Sequence, residues 1–240
     1  MTLANGSVVT IQLVHEFAPV HVANIRKLVA AHFWDGTSIN RVEEKYVVQW
    51  GDATEKKALP AGLGTAPARD YVRPLIGLGF RPLPYPDPYA RRAGHGHGWP
   101  IATDGNLAWL PHCFGMIGVG RNLAPDTGSG AELYVVNGHA PRHLDRNIAV
   151  VGRVVDGIAA LTTLPRGTGA LGFYERAEER ISIASITAGS RSRWQVMRTE
   201  SASFASYSQA RANRHDAFFN IPAGRADICN IPVPIRKVPT

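Results

Sequence analysis

The sequence predicts a mainly β fold, and three observations lead to that prediction. Short segments rich in β-branched and aromatic residues recur along the chain, turns rich in Gly, Pro and Asp separate them, and helical periodicity is confined to a few segments. Hydrophobic residues make up 45% of the 240 residues and charged residues 19%, which is the composition of a folded globular protein rather than of a disordered one.

The first predicted elements are a strand, a helix and a second strand region. Residues 7–13 (SVVTIQL) predict a strand because two sets of side chains alternate along them. Residues 21–33 carry apolar side chains at helical spacing, which predicts an amphipathic helix. After a turn, residues 46–50 (YVVQW) predict a short buried strand.

Two polar residues stand out in this region, which reads TSINRVEEKYVVQWGD. Arg41 stands just ahead of the predicted buried strand, and Gln49 lies inside it. Taken alone, Arg41 fits a solvated charge at a strand edge and Gln49 fits a hydrogen-bonded core amide. The residue types by themselves therefore leave a structural and a functional interpretation open.

The middle of the chain predicts less regular structure. Residues 53–112 hold most of the Pro and Gly clusters and predict a long, mostly irregular segment with some short helix or strand, such as 71–80. The β pattern returns in residues 113–155. Residues 156–164 predict a short helix capped by Asp156.

A change in composition predicts a C-terminal extension over residues 190–240. Residues 200–219 predict a helix, and an extended segment follows it. We therefore expect a domain over residues 1–189, which contains the Pro/Gly-rich insertion 53–112, and a helical extension that packs on or beside it.

The charge and the hydropathy of the chain exclude two classes of partner. The formal net charge is +7, but the basic residues are scattered and no basic run interleaved with aromatic residues occurs, so nucleic acid is not an expected partner. No stretch approaches the roughly 18 continuous apolar residues of a membrane span. We therefore expect no membrane span.

The two cysteines leave two alternatives open. Cys113 and Cys229 are too few for a metal cluster and too far apart for a CxxC redox motif. They form either a disulfide that closes a long loop or two buried free thiols.

The sequence contains no complete motif for a metal site, a cofactor site or a catalytic nucleophile. His95 and His97 in GHGHGW have no third ligand at useful spacing, so we expect a flexible loop there and no metal site. The glycines of residues 115–122 (GMIGVGRN) are in the wrong order for a dinucleotide site, and no helix follows them. No credible Ser/His/Asp set is present.

What does carry information is an ordered series of segments: VANIRKLV, FWDGTSINRV, VVQWGD, a strand with Met116, SGAELYVV, APRHLD and VVGRVVDG. This series resembles the cyclophilin-type peptidyl-prolyl cis-trans isomerases, with bacterial members that carry a C-terminal extension as the expected relatives. The resemblance covers about residues 7–187 and is interrupted by the insertion. It implies a closed eight-stranded antiparallel β-barrel capped by two helices, and isomerisation of X–Pro bonds to assist protein folding, without a cofactor.

The resemblance places the catalytic arginine of the family at Arg41 and its positioning glutamine at Gln49. An X–Pro amide resists rotation because the prolyl nitrogen lone pair is delocalised, and the barrier is about 18–20 kcal/mol. Rotation localises that lone pair, so a guanidinium that donates a hydrogen bond to the nitrogen is stronger in the transition state than in the ground state. Such chemistry needs neither a nucleophile nor a metal.

The resemblance also implies a proline pocket. Its walls match Tyr46, Val47, Met116, Tyr134 and Leu144. Each of these residues also has an alternative interpretation as ordinary packing.

Several positions of the expected pocket depart from the family pattern. Glu132 stands where the family usually has a substrate-binding glutamine, His143 replaces a tryptophan or similar residue, and Ile148 replaces a histidine. We expect a wider or flatter pocket, modest activity, and a negative charge at Glu132 that could pair with Arg41. The departures at Glu132, at Ile148 and at Val151, where the family usually has a phenylalanine, favour an alternative function, a non-catalytic proline-peptide binding module or chaperone. The retained arginine and glutamine disfavour this alternative.

The expected partners are proline-containing polypeptide clients, and we expect a monomer. The first residues have neither the basic nor the apolar region of a signal peptide, although their abrupt start is compatible with an upstream leader. We expect a periplasmic location, with the cytoplasm as the alternative.

Overall fold

The computed structural model describes residues 1–189, 192–214 and 216–239. The α-helices of these ranges are α1 (Pro19–Ala30), α2 (Ala159–Thr162) and α3 (Ala202–Ala212). The strands are β1 Thr2–Leu3, β2 Thr10–Leu13, β3 Ser38–Glu43, β4 Val47–Gly51, β5 Arg73–Pro74, β6 Arg81–Pro82, β7 Arg92–Gly96, β8 Trp99–Thr103, β9 Leu107–Trp109, β10 Met116–Val119, β11 Leu133–Val136, β12 Val150–Asp156, β13 Ile181–Ser185, β14 Arg193–Val196 and β15 Ile235–Val238.

The described residues divide into two compact units. The first contains residues 1–71 and 112–189, and the second contains residues 72–111 together with the described residues from 192 onward. Most of the insertion therefore belongs to the same unit as the C-terminal segment. That the extension packs on or beside the barrel stays a prediction.

The first unit is built on one curled, eight-stranded antiparallel sheet with the order β1-β13-β3-β4-β11-β10-β12-β2. One face of the sheet forms the hydrophobic core, where Ile39, Trp50 and Ile117 are fully buried. Helix α1 contributes Val22 to this core and α2 contributes Leu161. The predictions of a mainly β fold and of an eight-stranded antiparallel sheet are confirmed.

The helices begin for identifiable reasons. Helix α1 has a proline, Pro19, in its first turn. The N–H that proline lacks has no partner inside the helix at this position, and the fixed φ of proline suits the start of a helix. Helix α3 begins after Ser201, whose Oγ accepts a 3.1 Å hydrogen bond from the Phe204 N–H. The predicted cap of α2 is wrong: Asp156 is the last residue of β12, and Ile158 precedes α2 without a side-chain capping bond.

The second unit contains a five-stranded antiparallel sheet, β5-β9-β8-β7-β6, and the antiparallel pair β14-β15. The prediction of a mostly irregular segment over residues 53–112 is therefore wrong for its second half. Its strands are two to five residues long and rich in Gly and Pro, which hides the period of two that identifies a strand.

The GHGHGW segment is likewise ordered rather than a flexible loop. His97 and Gly98 form the two-residue turn between β7 and β8, both with positive φ, as a type I′ hairpin turn requires. His95 is buried, and its Nε2 lies 2.9 Å from the Ile231 carbonyl oxygen. Burial lowers the pKa of His95 to about 4, so the imidazole is neutral at pH 7.

None of the helices in the described part of the chain is long and apolar enough to cross a membrane.

Candidate active site

A β-bulge places Arg41 on the outer face of the sheet. Ile39 and Val42 both point into the core, so regular alternation would send Arg41 inward, on the side of Ile39. The register between β3 and β4 shifts between Ile39 and Arg41, and the extra residue, Asn40, is held by a 3.2 Å bond from its Nδ2 to the Gly51 carbonyl oxygen. Arg41 thereby becomes the cross-strand partner of Gln49 on the outer face.

The guanidinium of Arg41 is held by two acceptors. Its Nε donates a 2.6 Å hydrogen bond to the carbonyl oxygen of Leu171, and an Nη donates to the carboxylate of Glu43. Its Cζ lies 5.7 Å from the ring centroid of Tyr46 and 5.4 Å from that of Phe173. Two rings and two acceptors fix the direction of the cation.

The loop of residues 165–175 supplies part of this arrangement. The Gly167 N–H donates to the Val42 carbonyl oxygen at 3.0 Å, and the Tyr174 N–H donates to that of Asn40 at 2.9 Å. Gly172 has a φ of +78°, and a Cβ there would lie 2.6 Å from the Val42 carbonyl oxygen. The loop is therefore docked along β3, and this close approach requires glycine.

The side chain of Gln49 contacts the carboxylate of Glu132. The Glu132 carboxylate accepts hydrogen bonds from the Gln49 side chain and from the Asp52 backbone N–H. Burial raises the pKa of Glu132 to about 7, against the lowering effect of these two bonds. The expected pairing of Glu132 with Arg41 is wrong, because the described contacts give Arg41 the carboxylate of Glu43.

Most of the residues predicted to form the proline pocket lie together on the outer face of the sheet, which also carries Arg41 and Gln49. Val47, Tyr134 and Val136 are buried in one cluster on the outer face, and three partly buried side chains pack against it: Tyr46, Leu144 and Ile148. Met116 is also buried, in β10, but it is not among the residues of this cluster.

His143 lies at the edge of the cluster. Its imidazole stacks on the ring of Tyr46, with 6.1 Å between the ring centroids and 12° between the planes. The order along the surface is therefore Phe173, Arg41, Tyr46 and His143. These four flat groups form one row of contacts.

Tyr134 forms the floor of the cluster. Its ring lies across Gly118, its cross-strand partner, so a Cβ at Gly118 would overlap the phenol. Its hydroxyl lies 2.9 Å from His112 Nε2, while His112 Nδ1 lies 3.0 Å from the Asp145 carboxylate. Since a carboxylate accepts and does not donate, Nδ1 of His112 donates to Asp145, and with a neutral imidazole the Tyr134 hydroxyl donates to Nε2.

Asp145 is the anionic end of this buried chain. Arg142 Nε donates to its second oxygen at 2.6 Å. Burial alone would raise the pKa of Asp145, but the hydrogen bond from His112 and the charge of Arg142 together lower it. The ionised carboxylate therefore holds His112, which in turn fixes the ring of Tyr134.

The sequence profile of one family, described as cyclophilin type peptidyl-prolyl cis-trans isomerase/CLD, matches residues 1–188. The chain belongs to this family. Cyclophilin-type proteins are isomerases that bind proline-containing peptides, so the protein is a peptidyl-prolyl cis-trans isomerase.

Solved cyclophilins are also similar to the chain. Cyclophilin AquaCyp293 from Hirschia baltica aligns with a TM-score of 0.73 and 23% identity, over 98% of this chain and 88% of that protein. A cyclophilin-type isomerase from Cryptosporidium parvum, crystallised in the presence of the dipeptide Ala-Pro, aligns with a TM-score of 0.47 and 15% identity, over 76% of this chain and 93% of that one. None of the curated proteins matches the chain. The likeness to the Hirschia cyclophilin supports the fold.

Three groups around Arg41 were not predicted from the sequence: the Glu43 carboxylate, the Leu171 carbonyl and the ring of Phe173. Glu43 had a local signal, because it stands two residues after Arg41 in the same strand and so faces the same side. Leu171 and Phe173 had none, since they reach Arg41 through a loop about 130 residues away along the chain.

Proposed function

We propose that the outer face around Arg41 is the active site of this isomerase and that Arg41 is its catalytic residue. The observation that carries the proposal is the fixed guanidinium beside an apolar cluster. Nε and one Nη are engaged by Leu171 and Glu43, which leaves N–H bonds of the other Nη for a substrate.

The proposed reaction is rotation about the X–Pro bond. With the proline ring of the client against Val47, Tyr134 and Leu144, an N–H of Arg41 donates to the prolyl nitrogen as its lone pair localises. Lowering the barrier by about 7 kcal/mol would give roughly five decades of acceleration. Gln49, the cross-strand partner of Arg41, is the residue that we assign to hold the arginine and the substrate backbone.

The remaining pocket roles follow from position. Tyr46 and Ile148 are side walls of the cluster, and His143 supports Tyr46 by stacking on it. Met116, which lies in β10 outside the cluster, is assigned to the pocket on the family resemblance alone. The alternative function, a non-catalytic proline-peptide binding module, is not favoured, because the family to which the chain belongs consists of isomerases.

A peptide isomerisation assay tests the assignment of Arg41. We expect the wild-type protein to accelerate cis-trans interconversion of an X–Pro peptide, and Arg41→Ala to lower kcat/KM by about 100-fold or more. Arg26→Ala, which removes an exposed arginine from α1, is the matched control and should retain wild-type kcat/KM. Equal rates for wild type and Arg41→Ala would contradict the assignment, and no acceleration by the wild type would contradict the function.

The eight-stranded sheet is proposed to close into a barrel. Its terminal strands in the order are β1 and β2, which belong to the first 13 residues. Backbone bonds from the Leu3 N–H to Ser7 and from the Val9 N–H to Met1, 2.9 and 2.8 Å long, join the two segments and support closure. Hydrogen exchange tests it, since closure requires slow exchange of these two amides.

Cys113 and Cys229 are proposed to form a disulfide, and the protein to act as a monomer in the periplasm on unfolded or loosely folded clients. In support, neither cysteine is a free thiol among the described residues. Disulfides persist in oxidising compartments, which disfavours the cytoplasm. A thiol titration without reductant should detect no free thiol after denaturation, and two titrating thiols would contradict the bridge.

A further inference from the structure

The fold builds a fixed position for Glu132 next to Gln49. Its carboxylate accepts from the Gln49 side chain and from the Asp52 N–H. Gly51 and Gly120 flank it so tightly that a Cβ at Gly51 would overlap the Glu132 carboxyl group, and one at Gly120 would lie 2.9 Å from its Cβ. Two glycines thus leave the space that this one carboxyl group occupies.

The ionised carboxylate decides which way the amide of Gln49 points. A carboxylate offers acceptors and no donor, so the amide turns its Nε2 toward Glu132. The Oε1 atom, which lies in the amide plane on the other side of Cδ, is then directed away from Glu132. An acceptor in that position can receive an N–H of Arg41 or of the substrate backbone, which is the role assigned to Gln49.

We propose that Glu132 is a positioning residue that orients the Gln49 amide, and that its protonation turns the amide and makes isomerisation pH-dependent. The proposal rests on the function proposed for Arg41 and Gln49. A protonated Glu132 carries an O–H donor, which competes for Oε1 of Gln49 and withdraws this acceptor from Arg41 and the substrate. Turnover is therefore higher with Glu132 ionised.

Burial, more than the neighbouring charges, places this titration in the neutral range. Burial raises the pKa of Glu132 to about 7, and the nearby carboxylates of Glu55 and Asp52 act in the same direction. On the β10 side, the Arg121 guanidinium donates to the carbonyl oxygens of Asn147 and Asn122. The site also holds the Glu43 carboxylate, on Arg41, and the His143 imidazole, which stacks on Tyr46.

The test is the pH profile of kcat/KM for an X–Pro peptide between about pH 5.5 and about pH 8.5. For the wild type we expect kcat/KM to rise several-fold with pH, with a midpoint near the pKa of Glu132. Glu132→Gln should give a flat profile, because its amide does not titrate. Glu55→Gln, the matched control, should retain the step with a lower midpoint, and His143→Gln should retain the step unchanged.

A second variant keeps the test decisive if Glu132→Gln does not fold. Gln49→Ala keeps the carboxyl group but removes the amide, so its slower reaction should show no step. An active wild type with a flat profile, or a step that survives in Glu132→Gln or Gln49→Ala, would overturn the proposal. A wild type without acceleration at any pH would instead overturn the proposed function, and the two failures are therefore distinguishable.

Discussion

The carbonyl oxygen of Leu171 accepts a 2.6 Å hydrogen bond from Nε of Arg41, across 130 residues of sequence. The acceptor is a backbone atom, so its position depends on the path of the loop rather than on a side chain. That path in turn depends on Gly172, which lies against the carbonyl oxygen of Val42. The direction of the guanidinium is therefore coupled to one glycine.

Gly172→Ala is expected to lower kcat/KM by about 10-fold, because the added Cβ pushes the loop and the Leu171 carbonyl away from Arg41. Gly36→Ala is the matched control: Gly36 has a φ of +74° but open space around it. Both variants should lose about 1 kcal/mol of stability from the positive φ. Equal kcat/KM for Gly172→Ala and wild type in the isomerisation assay would contradict the coupling.

Glu43→Ala is expected to lower kcat by about 10-fold with little change in KM. The variant removes the anion that fixes one Nη of Arg41, so the guanidinium samples directions that do not reach the prolyl nitrogen. Glu44→Ala is the matched control, since the exposed Glu44 contacts Lys45 at 3.9 Å. If both variants lose kcat equally, a general charge effect explains the loss and the positioning role of Glu43 is wrong.

The contrast between Arg41 and its partners shows what the sequence could predict. Arg41 and Gln49 lie eight residues apart, in strands joined by a short turn, so local pattern and family resemblance were enough to pair them. The bulge at Asn40 and the Leu171 bond depend on contacts between distant segments, which carry no local period. The same limit explains why the five-stranded sheet of the second unit was not predicted. Strands as short as Arg73–Pro74 are defined by the strands with which they pair.

Tyr134→Phe is expected to destabilise the fold by about 1–3 kcal/mol, because it leaves Nε2 of the fully buried His112 without its donor. The retained ring still covers Gly118, so KM should change little. Tyr207→Phe is the control, since it removes an exposed hydroxyl bonded to the Pro232 carbonyl oxygen at 2.8 Å. Urea unfolding measures the free energy of unfolding of both variants. An equal loss in the two would show that the buried hydrogen bond between Tyr134 and His112 does not add to stability.

Glu132 is also expected to make stability depend on pH in a direction unusual for a carboxylate. Its pKa is about 7 in the folded protein and 4.5 ordinarily, so between these values the folded state holds a proton that the unfolded state has released. Stability from this residue is therefore fully present below about pH 4.5 and is lost as pH rises toward 7.

Comparison with Glu132→Gln isolates that contribution from those of other carboxyl groups, such as Asp145, whose lowered pKa acts in the opposite sense. From about pH 4.5 to about pH 7.5, we expect the free energy of unfolding of the wild type to fall relative to the variant by on the order of 2 kcal/mol. This free energy is smaller than the full pKa shift would give, because Glu132 is only half-buried and water screens part of the cost of burying its charge. Urea midpoints at several pH values provide the measurement, and a constant difference across that range would mean that Glu132 ionises with an ordinary pKa.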